Sequence, residues 1–435
     1  MKKIGIRIED KYLMERRVAI VPADIEDLKK QVNVLFEVES SPKRVFTDAE
    51  YSISGAKVVS KLDNPDIVFG VKEMPIDFFE QEKTYVFFSH TIKGQDYNMP
   101  LLKRMIEKKV NLIEYEKITN DKGQRLIFFG RFAGLAGMIN SFWSFGQRCQ
   151  LMGHNSPFNH LKQSHLYSSL NEAIEDIKLA ARNLKEYGVH KDIAPLTIGF
   201  TGYGNVSKGA QEISDLFDTE EITPQELLSL RKDGNYRNNC VYKVVFKEEH
   251  ISKPKDKDAK FELQHYYTHA EAYENNFEQY VPEITILMNC MYWAPEYPRI
   301  ITKDFLYELN KKGNSKLCVI GDVTCDPDGS IESTHLGTHI EDPVYVYNPE
   351  TREPTMGFSG EGILTMAVDI LPSELPKESS EAFSAALKPF IVGLLETDFD
   401  FSFDELSLPD PFKKALILHK GELTPDYKYL EEFLK

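Results

Sequence analysis

The run Pro195-Leu-Thr-Ile-Gly-Phe-Thr201-Gly202-Tyr203-Gly204-Asn205-Val206-Ser207-Lys208-Gly209-Ala210 reads as three pieces. Leu196 to Thr201 is a short buried strand, the glycines at 202, 204 and 209 mark a turn, and Ala210 to Phe217 opens a helix. Strand, glycine turn and helix together set a diphosphate against backbone N–H groups at a helix N-terminus. Gly202 would permit the tight turn and Gly204 the close approach of backbone to phosphate. The standard spacing G-x-G-x-x-G would put its third glycine at Ser207, whereas here Gly209 comes two residues later. The expected dinucleotide contacts are Gly202, Tyr203, Gly204, Asn205, Val206, Ser207 and Gly209.

Outward from this turn, the totals bound the rest. A chain of 435 residues is too long for one simple core, so two domains are expected. The net charge of −16, from 52 basic and 68 acidic residues, argues against general binding to nucleic acid or an anionic membrane. A local basic pocket for small anions remains compatible with it. The cysteines at 149, 240, 290, 318 and 325 are scattered, odd in number and without C-x-x-C, which points to a reducing compartment. The N-terminus runs directly into a strand with no apolar leader, and no apolar run reaches the ~20 residues of a membrane helix, so the expected location is the cytoplasm.

Along the chain, Lys3 to Ile8 and Val34 to Val38 read as strands, with a helix from Pro22 to Lys30 between them. Asp66 to Lys72 and Thr84 to His90 are apolar strands that each end in an ionisable residue at a turn. In open α/β sheets the site lies outside the carboxyl ends of the strands. Met99 to Lys109 is an amphipathic helix, and Val110 to Tyr115 a strand leading to Glu116. The small residues of Phe129 to Gly137 suggest tight packing or the start of a long helix. Asn171 to Tyr187 is a helix closed by Gly188. Residues 247–280, charged and rich in tyrosine, read as an exposed insertion. Strands resume at Ile284 to Cys290 and Leu317 to Val323, and Ser380 to Leu395 is a helix interrupted by Pro389. The acidic residue that ordinarily holds the ribose lies ~20 positions after the glycines. Asp218 to Gly234 has no clean strand, and Glu220 and Glu221 come too early.

The segments Glu15-Arg-Arg17, Gly70-Val-Lys72, Phe87-Phe-Ser-His-Thr-Ile-Lys93, Phe129 to Asn140, Gly153-His154 with Pro157-Phe158, Thr201 to Gln211, Cys290-Met-Tyr-Trp293, Asp322-Val323, Gly329 to Glu332, and Asp369 to Pro372 with Leu375-Pro376 follow one another in a known order. With them the chain resembles the lysine–ketoglutarate reductase domain of α-aminoadipic semialdehyde synthase and, more distantly, saccharopine dehydrogenases and alanine dehydrogenase. The expected fold is therefore α/β with two lobes. A discontinuous catalytic lobe, 1–140 rejoined by 375–435, would flank a Rossmann lobe at 141–374, with the site in the cleft between lobes. The saccharopine-oxidising half of the bifunctional relatives is expected to be missing.

The resemblance implies reductive condensation of L-lysine with 2-oxoglutarate to saccharopine, with NADPH as reductant and NADH as the alternative. It makes Lys72 and His90 the acid–base pair. Burial at a strand end would lower a lysine pKa, and histidine titrates in the useful range already; a solvated strand-end charge and a hydrogen-bonded turn residue are the ordinary readings. Saccharopine has three carboxylates, so Arg16, Arg17, Lys93 and Arg131 are expected around it, one of Arg16 and Arg17 being a mere ion pair. Glu73 and Glu116 would tune the pair or bind the substrate amine. Asp322 and Asp369 join the cofactor contacts by resemblance. His154, His160, His165, His335 and His339 form no metal-binding pattern, and no metal is expected. Two rival readings stay open: an NAD-dependent lysine-forming or other amino-acid dehydrogenase of this fold, and a non-catalytic nucleotide-binding regulator. A homo-oligomer stays open as well.

Overall fold

The computed structural model describes all residues from Met1 to Lys435. They form two compact units, one of Met1–Phe129 with Pro376–Lys435 and the other of Gly130–Leu375. The expected first break at 140 falls inside the helix Gly130–Leu151. That helix belongs wholly to the second unit because its small residues serve packing there. A Cβ at Gly134 would collide with the carbonyl of Val206, and one at Gly209 with the carbonyl of Arg131. The glycine displaced from the standard spacing therefore lets two helices touch backbone to backbone. It is not part of the turn.

The strands run β1 Lys2–Ile6, β2 Val34–Glu39, β3 Lys57–Val59, β4 Ile67–Phe69, β5 Thr84–Phe87 and β6 Asn111–Glu114, then β7 Leu196–Thr201, β8 Thr219–Glu221, β9 Val241–Phe246, β10 Ser252–Pro254, β11 Tyr273–Asn275, β12 Ile286–Asn289, β13 Val319–Asp322, β14 Val344–Tyr347, β15 Pro354–Met356 and β16 Ile363–Met366, and finally β17 Leu416–His419 and β18 Glu422–Leu423.

The first unit holds one sheet in the order β18-β17-β6-β5-β4-β1-β2-β3. From β6 to β3 it is parallel, and β17 joins β6 antiparallel. Its central strands β4, β5 and β6 are buried along their whole length. Such continuous apolar runs are what a sheet covered on both faces requires. The C-terminal segment returns through the helix Pro376–Glu396, where the hydroxyls of Ser380 and Ser384 accept the N–H groups of Val18 and Val21 at 3.0 and 3.1 Å.

The second unit holds a sheet in the order β15-β14-β16-β13-β12-β7-β9-β8, parallel from β16 to β8. The strand after the glycine helix is not the neighbour of β7. The chain first makes the edge strand β8 and a helix, Pro224–Asp233, and then inserts β9 beside β7. Residues 247–280 are more built than an exposed insertion. They form the helices Glu248–Ile251 and Leu263–Thr268 and the ribbon β10–β11. Tyr266, Tyr273, Phe277 and Tyr280 are buried, while the runs 255–260, 262–265 and 267–269 are exposed. No helix in the chain is long and apolar enough to cross a membrane.

Candidate active site

In the first unit, four neighbouring parallel strands, β6, β5, β4 and β1, carry ionisable residues at their carboxyl ends. These are Glu114, His90, Lys72 with Glu73, and Glu9. The imidazole of His90 meets Glu73, Nδ1 to Oε1, at 2.7 Å, and the same oxygen takes Lys11 Nζ at 2.7 Å. Burial alone would raise the Glu73 pKa, but the His90 hydrogen bond and charge and the Lys11 ammonium outweigh it and bring it down to about 2. An ionised Glu73 fixes the hydrogen of His90 on Nδ1 and leaves Nε2 for another partner. The second oxygen, Glu73 Oε2, is buried without a hydrogen-bond partner.

His90 has left-handed backbone, φ 54° and ψ 18°. Glu114 holds it there. One carboxylate oxygen accepts Ser89 N at 2.7 Å, Ser89 Oγ at 2.6 Å and His90 N at 3.1 Å, and the other accepts Glu116 N at 3.1 Å. Burial lifts Glu114 to about 7 against the pull of those donors. Glu9 does the same for the neighbouring turn, accepting Val71 N at 2.6 Å and Lys72 N at 2.9 Å. Burial, with Glu15 nearby, raises Glu9 to about 7 as well. Lys72 is half-buried, its ammonium 5.6 Å from the ring of Tyr12. Beneath lies an aromatic group, with Phe88 against Tyr115 at 5.0 Å and Phe129 stacked on Phe383 at 4.4 Å.

The expected cations behave differently from one another. Arg17 is buried, grips Glu15 through Nε at 2.7 Å and through Nη2 at 2.5 Å, and lies 4.2 Å from the Phe129 ring. Burial opposes the charge of Glu15, yet Arg17 and the Lys72 ammonium hold its pKa below the ordinary value. Arg16 donates to the carbonyl of Lys43 at 3.2 Å, and Lys93 is exposed. Arg131 is exposed and committed to Glu212, Nε to Oε1 at 2.8 Å. Glu116 pairs with Arg125 at 3.3 Å, so the carboxylate brought to the His90 turn is Glu114, two residues earlier. Only its spacing from a strand end could have revealed Glu114 in the sequence.

In the second unit, Gly202 takes φ 75° and its N–H donates to Phe246 O at 2.9 Å. Gly204 caps the helix Asn205–Ser214, and a Cβ there would meet open space, the room a diphosphate needs. The first N–H bonded within this helix is that of Lys208, to Gly204 O at 2.9 Å, so those of Asn205, Val206 and Ser207 are left over. A nicotinamide dinucleotide fits this cradle. The hydroxyl of Ser207 is turned inward and accepts Gln211 Nε2 at 3.0 Å, which leaves its main chain as its contribution. Tyr203 is exposed beside a cavity of about 310 Å³ lined also by Gly202, Gly204, Glu248 and Tyr267.

Asp322 differs from the expectation. It is 1% exposed, and its oxygens accept Asn289 Nδ2 at 2.9 Å, Thr324 Oγ1 at 2.7 Å and Thr334 Oγ1 at 2.5 Å. Asn289 in turn takes the Thr201 hydroxyl at 2.8 Å. This side chain ties the carboxyl ends of β7, β12 and β13 together and is not an open contact. Asp369 is exposed, with the Cys325 thiol 3.9 Å from its Oδ1. The histidines named above form no cluster among themselves. His154 instead stacks on His190 at 4.2 Å, with Asp192 close by. The ligand atoms of His154, His190 and Asp192 lie within 4.8 Å of one another, a grouping the histidine spacing did not reveal.

Residues 5–136 match the family model described as alanine dehydrogenase/PNT, N-terminal domain. Over 99% of its length the chain is 35% identical to an alpha-aminoadipic semialdehyde synthase of Arabidopsis thaliana, of which it spans 41%. It is 28% identical to a saccharopine dehydrogenase [NAD(+), L-lysine-forming] of Yarrowia lipolytica, covering 91% of this chain and 93% of that one. A solved L-alanine dehydrogenase superposes over the whole of both chains with a TM-score of 0.64 at 17% identity, which shows the fold. Nearly the whole chain is thus similar to part of an alpha-aminoadipic semialdehyde synthase and to most of a saccharopine dehydrogenase, and its first third matches the alanine dehydrogenase/PNT N-terminal domain.

Proposed function

We propose that the chain is a nicotinamide-dependent oxidoreductase that joins L-lysine to 2-oxoglutarate as saccharopine. The observation that carries this reading is the row of Glu9, Lys72, Glu73, His90 and Glu114 at the ends of adjacent strands. The condensation needs groups that give and take protons at a carbonyl, then at a carbinolamine that must lose water. His90, oriented by Glu73, offers Nε2 for that exchange, and Lys72 offers an ammonium to the carbonyl oxygen. The unpartnered Oε2 of Glu73 suits the substrate amine. Arg16 and Lys93 remain for substrate carboxylates, while Arg17 keeps Glu15 in place. The dinucleotide, when bound at the glycine turn, supplies the hydride that reduces the imine.

The relatives' names support lysine metabolism without fixing the direction. A regulator without chemistry would have no use for a carboxylate-anchored imidazole beside a half-buried lysine. A cytoplasmic location is part of the same reading, supported by five cysteines without a disulfide. Dinucleotide oxidation would be followed with lysine plus 2-oxoglutarate, and separately with ammonia plus pyruvate. Turnover with the first pair alone is expected. Turnover with the second alone would transfer the site to another amino-acid dehydrogenase activity.

A further inference from the structure

An acidic residue that spacing failed to single out stands two residues past the end of a strand, at Glu248. In a dinucleotide fold the strand next to the glycine-turn strand ends in the residue that meets the adenosine ribose. Here that strand is β9, and Gly202 N–H is tied to its last residue, Phe246. Two residues on, Glu248 lines the cavity at Gly202 and Gly204. Both hydrogen bonds to its side chain land on Oε1, from Tyr267 at 2.8 Å and Tyr203 at 3.4 Å. Oε2 is thereby left as an acceptor, and a carboxylate can only accept.

A ribose 2′-hydroxyl donates to such an oxygen. A 2′-phosphate has no proton to spare for it and brings like charge instead. A phosphate pocket would also need a cation, and no Lys, Arg or His lines this cavity. The neighbouring Lys247 is exposed and is not among the lining residues. The insertion supplies the holder, since Tyr267 comes from the helix Leu263–Thr268 and clamps Glu248 in place.

The geometry points to Glu248, positioned by Tyr267, as the residue that reads the adenosine ribose and selects NADH over NADPH. This assignment rests on the proposed dinucleotide-dependent function, and it departs from the NADPH that the resemblance implies. It also gives the inserted segment a task.

Binding of NADH and of NADPH to the full chain would be titrated by nicotinamide fluorescence, without substrates. NADH is expected to bind at least about tenfold more tightly. Glu248→Gln should narrow that ratio by about tenfold, chiefly by admitting NADPH, and Tyr267→Phe should narrow it less. Equal affinities in the parent chain, tighter NADPH, or an unchanged ratio in a folded Glu248→Gln chain would overturn the assignment. Binding of neither dinucleotide would overturn both it and the proposed function. Selective NADH binding with no turnover of lysine and 2-oxoglutarate would leave the ribose assignment standing and remove the reaction.

Discussion

The strand ends of the first unit and those of the second hold polar groups in opposite ways. Around His90 and Lys72 two buried carboxylates, Glu114 and Glu9, fasten the main chain, and the imidazole and the ammonium project from fastened turns. Around Gly202 and Gly204 the main chain itself is left open, with N–H groups of the first helical turn unspent. There the buried carboxylate, Asp322, ties one strand end to the next. The contrast suits the two tasks proposed for them. Proton transfer requires a side chain held to a fraction of an ångström, whereas a diphosphate is held by backbone that must stay uncovered.

The comparison breaks first at Lys72. Lys72→Met should lower turnover by on the order of 10²–10⁴ while dinucleotide affinity stays unchanged. Steady-state rates paired with fluorescence titration would show it, and full activity would remove Lys72 from the chemistry. In the second unit the sensitive group is backbone. Gly209→Ala must force apart the helix that carries Arg131, at a cost of about 3 kcal/mol or more by denaturant unfolding. A chain as stable as the parent would mean that the two helices yield.

Smaller still is the pH signature of the fastening carboxylates. Burial raises Glu114 from the ordinary carboxylate value near 4.5 to about 7, so the native state binds its proton more tightly. Its contribution is full below about 4.5 and is lost as pH rises through about 7, on the order of 3 kcal/mol. Glu73 has the opposite sign, contributing above about 4.5 and losing its effect as pH falls through about 2. Denaturation of Glu114→Gln at pH 5, 6, 7 and 8 should therefore show a flatter slope than the parent. An unchanged slope would place the titration elsewhere. Weakest of all, Glu73→Gln should slow turnover by about tenfold and shift the pH–rate profile, since the ring keeps its partner's shape but not its charge.

Much of this was legible in the sequence wherever a local rule applied. The strand Leu196–Thr201 and its glycine turn are where pattern puts them, as is the helix Leu170–Tyr187 with Gly188 at its end. Lys72 and His90 follow apolar strands that end in a turn, and Glu73 is adjacent to one of them. What escaped depends on strand order. Glu248 cannot be found by counting from Gly202 because β8 and a helix intervene before β9 takes its place. Glu114 was passed over for Glu116 because nothing local says which of two nearby carboxylates turns inward. Gly209 looked like a misplaced phosphate glycine because a helix crossing leaves no trace in spacing alone. Asp322 looked like a contact because a strand-end acid and an internal tie read identically.

The left-handed backbone of His90 has a bearing on how this position tolerates variation. Glycine, asparagine and aspartate enter that conformation at little cost, and most other residues would resist it. A library randomised at codon 90 would therefore be sorted twice. Selection for a soluble product would keep a handful of small replacements, and selection for turnover would keep histidine alone. His90→Asn, belonging to the first set and not the second, gives a silent scaffold on which to trap bound substrates.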